Sequence, residues 1–197
     1  MSPVSLDAVR AALSADEPNY PQIAGTFGPA ALPHLATLAA GSDTRIASRA
    51  VALAGFIAGA DRTAIVQAAS RRPEPRMKLA AAAAAPKLAV AEAATVVEAL
   101  LDDAADDVRH AALAAVKAWP TDELLQRVKS RVADLSRHAP ESWIRAQAVE
   151  VARAKGVDLT AVAAGPLGRL SSGARRLMGA LGAGPRRLVR AIRRTGR

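Results

Sequence analysis

The chain has 197 residues, enough for one domain with a real core, and it is 51% hydrophobic but only 3% aromatic, so Ala, Leu and Val must supply that core. Side chains this small suit close helix-on-helix packing and fit a β-sandwich poorly, and the lack of Cys excludes disulfides and thiolate metal sites. The net charge of +9 is uneven: residues 1–164 hold 18 Lys+Arg and 18 Asp+Glu, whereas residues 165–197 hold nine Arg and no acid.

Residues 1–29 read as an N-terminal cap. Ser5-Leu6-Asp7 can start a helix that runs to about Leu13, with Glu17-Pro18 and Tyr20-Pro21 as breakers and a short turn at 23–27. Asp7, Asp16 and Glu17, with no basic region ahead of a long apolar run, do not make a signal peptide. No run of 18 apolar residues occurs, because Lys87 and Glu92 interrupt the best candidate, so no transmembrane segment and a cytoplasmic location are expected.

From residue 30 onward the sequence repeats. Ile46, Met77, Val108 and Ile144 begin similar Ala-rich phrases at steps of 31, 31 and 36 residues, and four positions later each copy has Ala: Ala50, Ala81, Ala112 and Ala148. One position after each anchor stand Ala47, Lys78, Arg109 and Arg145, while Leu35, Val66, Val97 and Val128 mark a preceding helix in the same register. The periodicity predicts first helices near 30–40, 62–70, 90–102 and 121–136, and second helices near 44–58, 75–88, 106–119 and 142–155. Asp43, Glu74, Asp106, Asp107 and Glu141 fall at or before the first turn of the second helices and read as caps that complement the helix dipole. Stacked helices must approach to about 8–10 Å, which a small side chain at the crossing permits. One pair cannot bury its apolar face alone, so the pairs are expected to stack.

The phrases DDVRHAALAAV and WIRAQAVEVA match a pattern of an acid followed by V-R-x-x-A-A-x-A-L/V on a second helix, DTRIASRAVALAGFI matches it in spacing but has Ala47 where Arg is usual, and PRMKLAAAAAA is Ala-degenerate. This pattern resembles HEAT repeats, and its short period resembles the HEAT-like variety of phycobilisome-lyase repeats. The resemblance spans about 30–156. It implies an all-α fold, an α-solenoid of about four antiparallel helix pairs over 30–164, with 165–197 as a basic tail. Some HEAT-like proteins are bilin lyases or isomerases and some are DNA glycosylases, activities that use aromatic or Cys/His/Asp-rich sites.

The chain offers little for such chemistry. His34, His110 and His138 lie in different units, so no paired-His metal set exists. The run from Asp102 to Asp107 lacks the Gly and distant Glu of an EF-hand loop and reads as a solvated turn. No catalytic, cofactor or metal residue is therefore assigned. Trp119 and Trp143 read as gap fillers at helix ends, with an exposed binding anchor as the other option. In repeats of this family the second helices line the concave surface, where Lys78, Arg109 and Arg145 would form a row. The row either receives an acidic partner or bridges to local acids such as Glu74, Asp107 or Glu141.

The tail divides at Pro166 and Pro185, each a suitable first helical residue after Gly. Leu167, Leu170, Ala174, Leu177 and Leu181 make one stripe; Leu188, Val189 and Ile192 oppose Arg186, Arg190, Arg193, Arg194 and Arg197. Seven Gly weaken both helices by roughly 1 kcal/mol per interior Gly, so order on a partner is expected. Arg169, Arg175, Arg176, Leu177, Leu181, Arg186, Arg187, Arg190, Arg193 and Arg194 are the candidate partner-binding residues. Their chemistry suits an anionic surface on a protein, a nucleic acid or a lipid. The regular apolar stripe favours protein or membrane over nucleic acid, and the absence of interleaved aromatics disfavours base stacking. The expected function is a non-enzymatic adaptor or assembly component, with a nucleic-acid-binding HEAT protein as the alternative.

Overall fold

The computed structural model describes residues 4–160. The helices are α1 (Leu6–Ser14), α2 (Tyr20–Phe27), α3 (Leu32–Ala40), α4 (Thr44–Ala54), α5 (Asp61–Ser70), α6 (Pro75–Ala84), α7 (Val90–Leu101), α8 (Asp106–Ala118), α9 (Glu123–His138) and α10 (Ser142–Ala154). The fold is all-α, with no strand among the described residues. Consecutive helices pair as α3 with α4, α5 with α6, α7 with α8 and α9 with α10. Across the pairs, α4 packs on α6, α6 on α8 and α8 on α10, while α3, α5, α7 and α9 pack in the same succession. α1 lies against α3 and α4, and α2 against α4.

The interior follows the sequence periodicity. Ala50, Ala81, Ala112 and Ala148 are all fully buried, as are Leu35, Val66, Val97 and Val128. Small residues let the helices approach closely: a Cβ added to Gly55 at the end of α4 would stand 3.1 Å from the Cβ of Ala84 on α6. Leu53, Met77, Leu100, Leu113 and Ile144 fill the space between these contacts. Burying each such side chain contributes about 1.5–3 kcal/mol.

Local chemistry sets the helix ends. Ser5 Oγ accepts the backbone N–H of Ala8 and starts α1. Tyr20-Pro21, expected to break structure, instead opens α2: Asn19 is its N-cap, accepting from Gln22 N, and Pro21 occupies the first turn, where its missing N–H costs nothing. Asp43 Oδ1 accepts from the backbone N–H groups of Arg45 and Ile46, and the Ile46 bond chiefly lowers its carboxyl pKa. The other acids lie at or in the first turn as expected, but make no side-chain capping bond. Glu74 and Glu141 sit at N-cap positions without a side-chain capping bond, and Asp106 and Asp107 lie inside the first turn of α8. Pro86 ends α6 earlier than the predicted 75–88 and leaves a 3₁₀ turn over Ala85–Lys87. α10 closes on Gly156, whose φ of +65° suits glycine; Gly156 N donates to Arg153 O and Val157 N to Ala152 O, a paired C-terminal lock.

Candidate functional site

Lys78, Arg109 and Arg145 occupy one register position, but the structure directs them inward to the connecting turns. Arg109 on α8 is buried, and its Nη1 donates to the carbonyl oxygens of Asp103 (2.7 Å) and Ala104 (3.1 Å); its Nη2 contacts Asp106 Oδ1. Arg145 on α10 repeats this geometry, donating to Ala139 O at 2.6 Å and Pro140 O at 2.8 Å. Each guanidinium reaches the residues five and six positions back, so it supplies donors to carbonyls of the turn that follows the preceding helix, beside that helix's negative dipole end. Lys78 turns toward the next pair instead and donates to Asp103 Oδ2 at 2.5 Å. The expected bridges to Glu74, Asp107 and Glu141 are replaced by these carbonyls and by Asp103 and Asp106.

The acidic run 102–107 is a part-exposed inter-helix turn, with Asp102 and Asp107 exposed and Asp103 and Asp106 half-buried, and three of its four aspartates meet cations. Arg131 of α9 lies 3.2 Å from Asp102, Lys78 of α6 holds Asp103, and Arg109 of α8 holds Asp106. Cations from three helices therefore converge on one inter-helix connection. Burial raises the Asp102 carboxyl pKa, the Arg131 charge opposes that rise, and Asp134 adds to it. Among the described residues, no group of three His, Cys, Asp or Glu side chains forms a metal-holding cluster. No described helix is long and apolar enough to cross a membrane.

Other basic side chains make the same kind of contact. Arg49 on α4 donates to Leu13 O, Ala15 O and Asp16 O, tying the end of α1 to the body. Arg72 donates to Ala39 O and Gly41 O while holding Glu74 at 2.6 Å. That hydrogen bond, first among the causes, holds the Glu74 carboxyl down at about 2. Lys155 reaches Trp119 O across the last two pairs.

The two tryptophans separate. Trp119 is buried and fills the gap expected of it, whereas Trp143 is 44% exposed on α10. The Trp143 ring lies 5.4 Å from that of His110 on α8, and His110 Nδ1 is 2.7 Å from Gln147 Oε1. Leu79 on α6 and Val149 on α10 are the other exposed large aliphatics of the second helices. At the far end, Tyr20 stacks on Phe56 at 5.9 Å and Lys87 Nζ lies 4.3 Å above the Phe56 ring. This second aromatic cluster was missed in the sequence because Tyr20 and Phe56 are 36 residues apart and no local pattern joins them.

Two apolar grooves open between the helices. One, of about 620 Å³, is lined by Ala36, Ala40, Ala64, Ile65 and Ala68 of α3 and α5, with Arg72 at its rim. The other, of about 350 Å³, lies beside Val149 and Ala152 of α10 and includes Arg137, Leu159 and Thr160. The candidate tail residues Arg169, Arg175, Arg176, Leu177, Leu181, Arg186, Arg187, Arg190, Arg193 and Arg194 lie outside the described residues. Comparison with protein-family models, curated proteins and solved structures finds no match for this chain.

Proposed function

We propose that this chain is a non-enzymatic adaptor, built as an α-solenoid of four HEAT-like helix pairs, that uses its Arg-rich tail to hold an acidic protein surface. The successive packing of α4, α6, α8 and α10, and of α3, α5, α7 and α9, supports the solenoid reading. The functional reading is carried by one observation: the regular cations of the body are engaged internally, with Lys78 on Asp103 and Arg109 and Arg145 on turn carbonyls. Nine arginines with no balancing acid follow in 165–197. Residues 1–164 balance 18 Lys+Arg with 18 Asp+Glu, so the net positive charge for an outside anion belongs to the tail. Exposed Trp143 on α10 gives the body an apolar contact of the kind that anchors protein interfaces.

The test replaces Arg186, Arg187, Arg190, Arg193 and Arg194 by Gln in the full chain. Binding of both forms to polyglutamate, duplex DNA and phosphatidylserine vesicles is then measured over a salt series. The expected outcome is salt-sensitive binding to polyglutamate that exceeds binding to DNA or vesicles and is lost in the Gln form. Preferential binding to duplex DNA, with a steep salt slope, replaces the adaptor reading by the nucleic-acid one.

A further inference from the structure

The end of the pair order at α10 differs from the others at one register position. Val51 of α4, Ala82 of α6 and Leu113 of α8 stand five residues after their anchors and are buried, Val51 and Leu113 fully and Ala82 at 1% exposure. Val149 holds that position in α10 and is 52% exposed. Each earlier second helix has another packed after it, and α10 has none among the described residues. A groove of about 350 Å³ lies open beside Val149 at this end of the pair order.

We propose that residues 166–181 of this same chain seat against α10 in that groove and cap the end of the stack. The proposal rests on the layered reading given above and not on the anchoring role of the last arginines. The chain leaves from the groove itself: Thr160 lines it, Leu159 packs on the core, and Arg137 Nη2 donates to Leu159 O at 2.7 Å. Residues 161–165 can span roughly 17 Å when extended, which exceeds the 8–10 Å or so between packed helix axes. The following segment carries the matching surface. At about 100° per residue, Leu167, Leu170, Ala174, Leu177 and Leu181 share one face, and Arg169, Arg175 and Arg176 fall on the opposite side. Inward leucines would cover Val149, and outward arginines would give the stack the polar outer face that a terminal unit requires.

Charge selects this part of the tail over the rest. Arg137, Arg153 and Asp158 line the groove, a net positive edge that disfavours the denser arginine block at 186–194. That block then remains free for an anionic partner. The larger groove between α3 and α5 belongs to the first two pairs, whereas Thr160 leaves from the fourth.

Because the chain has no Cys, engineered pairs trap this contact without background. Val149→Cys is combined in turn with Leu170→Cys and Leu177→Cys in the full chain, and Ala68→Cys with Leu177→Cys serves as the comparison. Mild oxidation is expected to give an intramolecular disulfide with Val149→Cys and none with Ala68→Cys. Equal trapping at Ala68, disulfides only between chains, or no trapping overturns the proposal. Amide exchange of the unsubstituted chain gives an independent reading: residues 167–181 should be protected, and Val149→Asp should remove that protection. Free exchange of 167–181 before substitution also overturns it. Maleimide labelling of Ala82→Cys separates the two levels: protection there with no trapping at Val149 rejects the cap alone, whereas rapid labelling rejects the stack. Substituting the arginines at 186–194 by Gln should leave trapping unchanged, so loss of the anchoring reading does not imitate loss of the cap.

Discussion

The contact of α4 with α6 and the contact of α8 with α10 share a buried seam of small residues, Ala50 and Ala81 in one and Ala112 and Ala148 in the other, and differ in what lies around it. The first is made small: Ala50, Ala54, Ala81 and Ala84 are buried, and Gly55 leaves no room for a Cβ beyond 3.1 Å from Ala84. The second is joined by polar side chains: His110 meets Gln147, Lys117 meets Glu150 at 2.5 Å, and Lys155 meets the Trp119 carbonyl. The buried seam of either junction depends on volume, whereas the polar bridges around the second respond to their partners and to solvent conditions.

The largest expected effect is at the close-packed junction. Ala81→Leu adds volume at a fully buried position, which costs about 1–3 kcal/mol. At roughly 2–4 °C per kcal/mol for a domain of this size, the Tm should fall by several degrees. Ala114→Leu, on the exposed side of α8, should change stability by no more than about 0.5 kcal/mol. Equal thermal melts for the two variants would refute the volume limit. Next comes Arg109→Met, which keeps the apolar stem but leaves the carbonyls of Asp103 and Ala104 without their donor. The cost should be about 1–3 kcal/mol, and larger than that of Arg145→Met, whose site is less buried and open to replacement by water. Urea unfolding of both variants checks the order.

These two residues also show what was legible in advance. The periodic Ala and apolar anchors predicted the eight helices of the four pairs, because burial on one face every 3.6 residues leaves a pattern that survives without tertiary knowledge. Arg109 and Arg145 were found as a regular pair, but their targets were not. A guanidinium that reaches a carbonyl six residues back leaves no mark in side-chain identity, since every residue has a carbonyl. The same reason hides Arg49 and Lys155, whose acceptors are also main-chain oxygens. Asp102–Asp107 misled for a different reason. The cations that pair with it come from α6, α8 and α9, and only their assembly shows that this part-exposed run of acids is neutralised.

Acid separates the two regions in opposite directions. Glu74 is held at about 2, below its ordinary 4.5, first by the Arg72 hydrogen bond. A depressed carboxylate stabilises the fold above its unfolded pKa and loses that effect as pH falls from about 4.5 toward 2. Arg72→Gln should flatten the Tm profile across that interval. Asp102, raised mainly by burial, acts in the other sense: its charged form opposes folding, so the fold gains as pH falls through the raised value. Asp102→Asn should therefore raise the Tm at pH 7, and the advantage should vanish once pH falls below the ordinary carboxylate range. A pH-independent gain would place its cause in packing instead of charge.

The smallest effect belongs to the bridge that spans α8 and α10 most visibly. Lys117 and Glu150 are 2.5 Å apart, yet their side chains are 50% and 61% exposed. Water screens such a pair, and fixing two long side chains opposes what attraction remains. Lys117→Ala should thus leave the Tm unchanged at physiological salt, while the Glu150 carboxyl, now lowered first by its hydrogen bond to Lys117, should return toward its ordinary pKa. An NMR titration of Glu150 beside a thermal melt reads both. A clear fall in Tm would mean that the two helices are held by their surface charges. Ile144 and Ala148, buried beneath that bridge, argue that they are held by their packed interior.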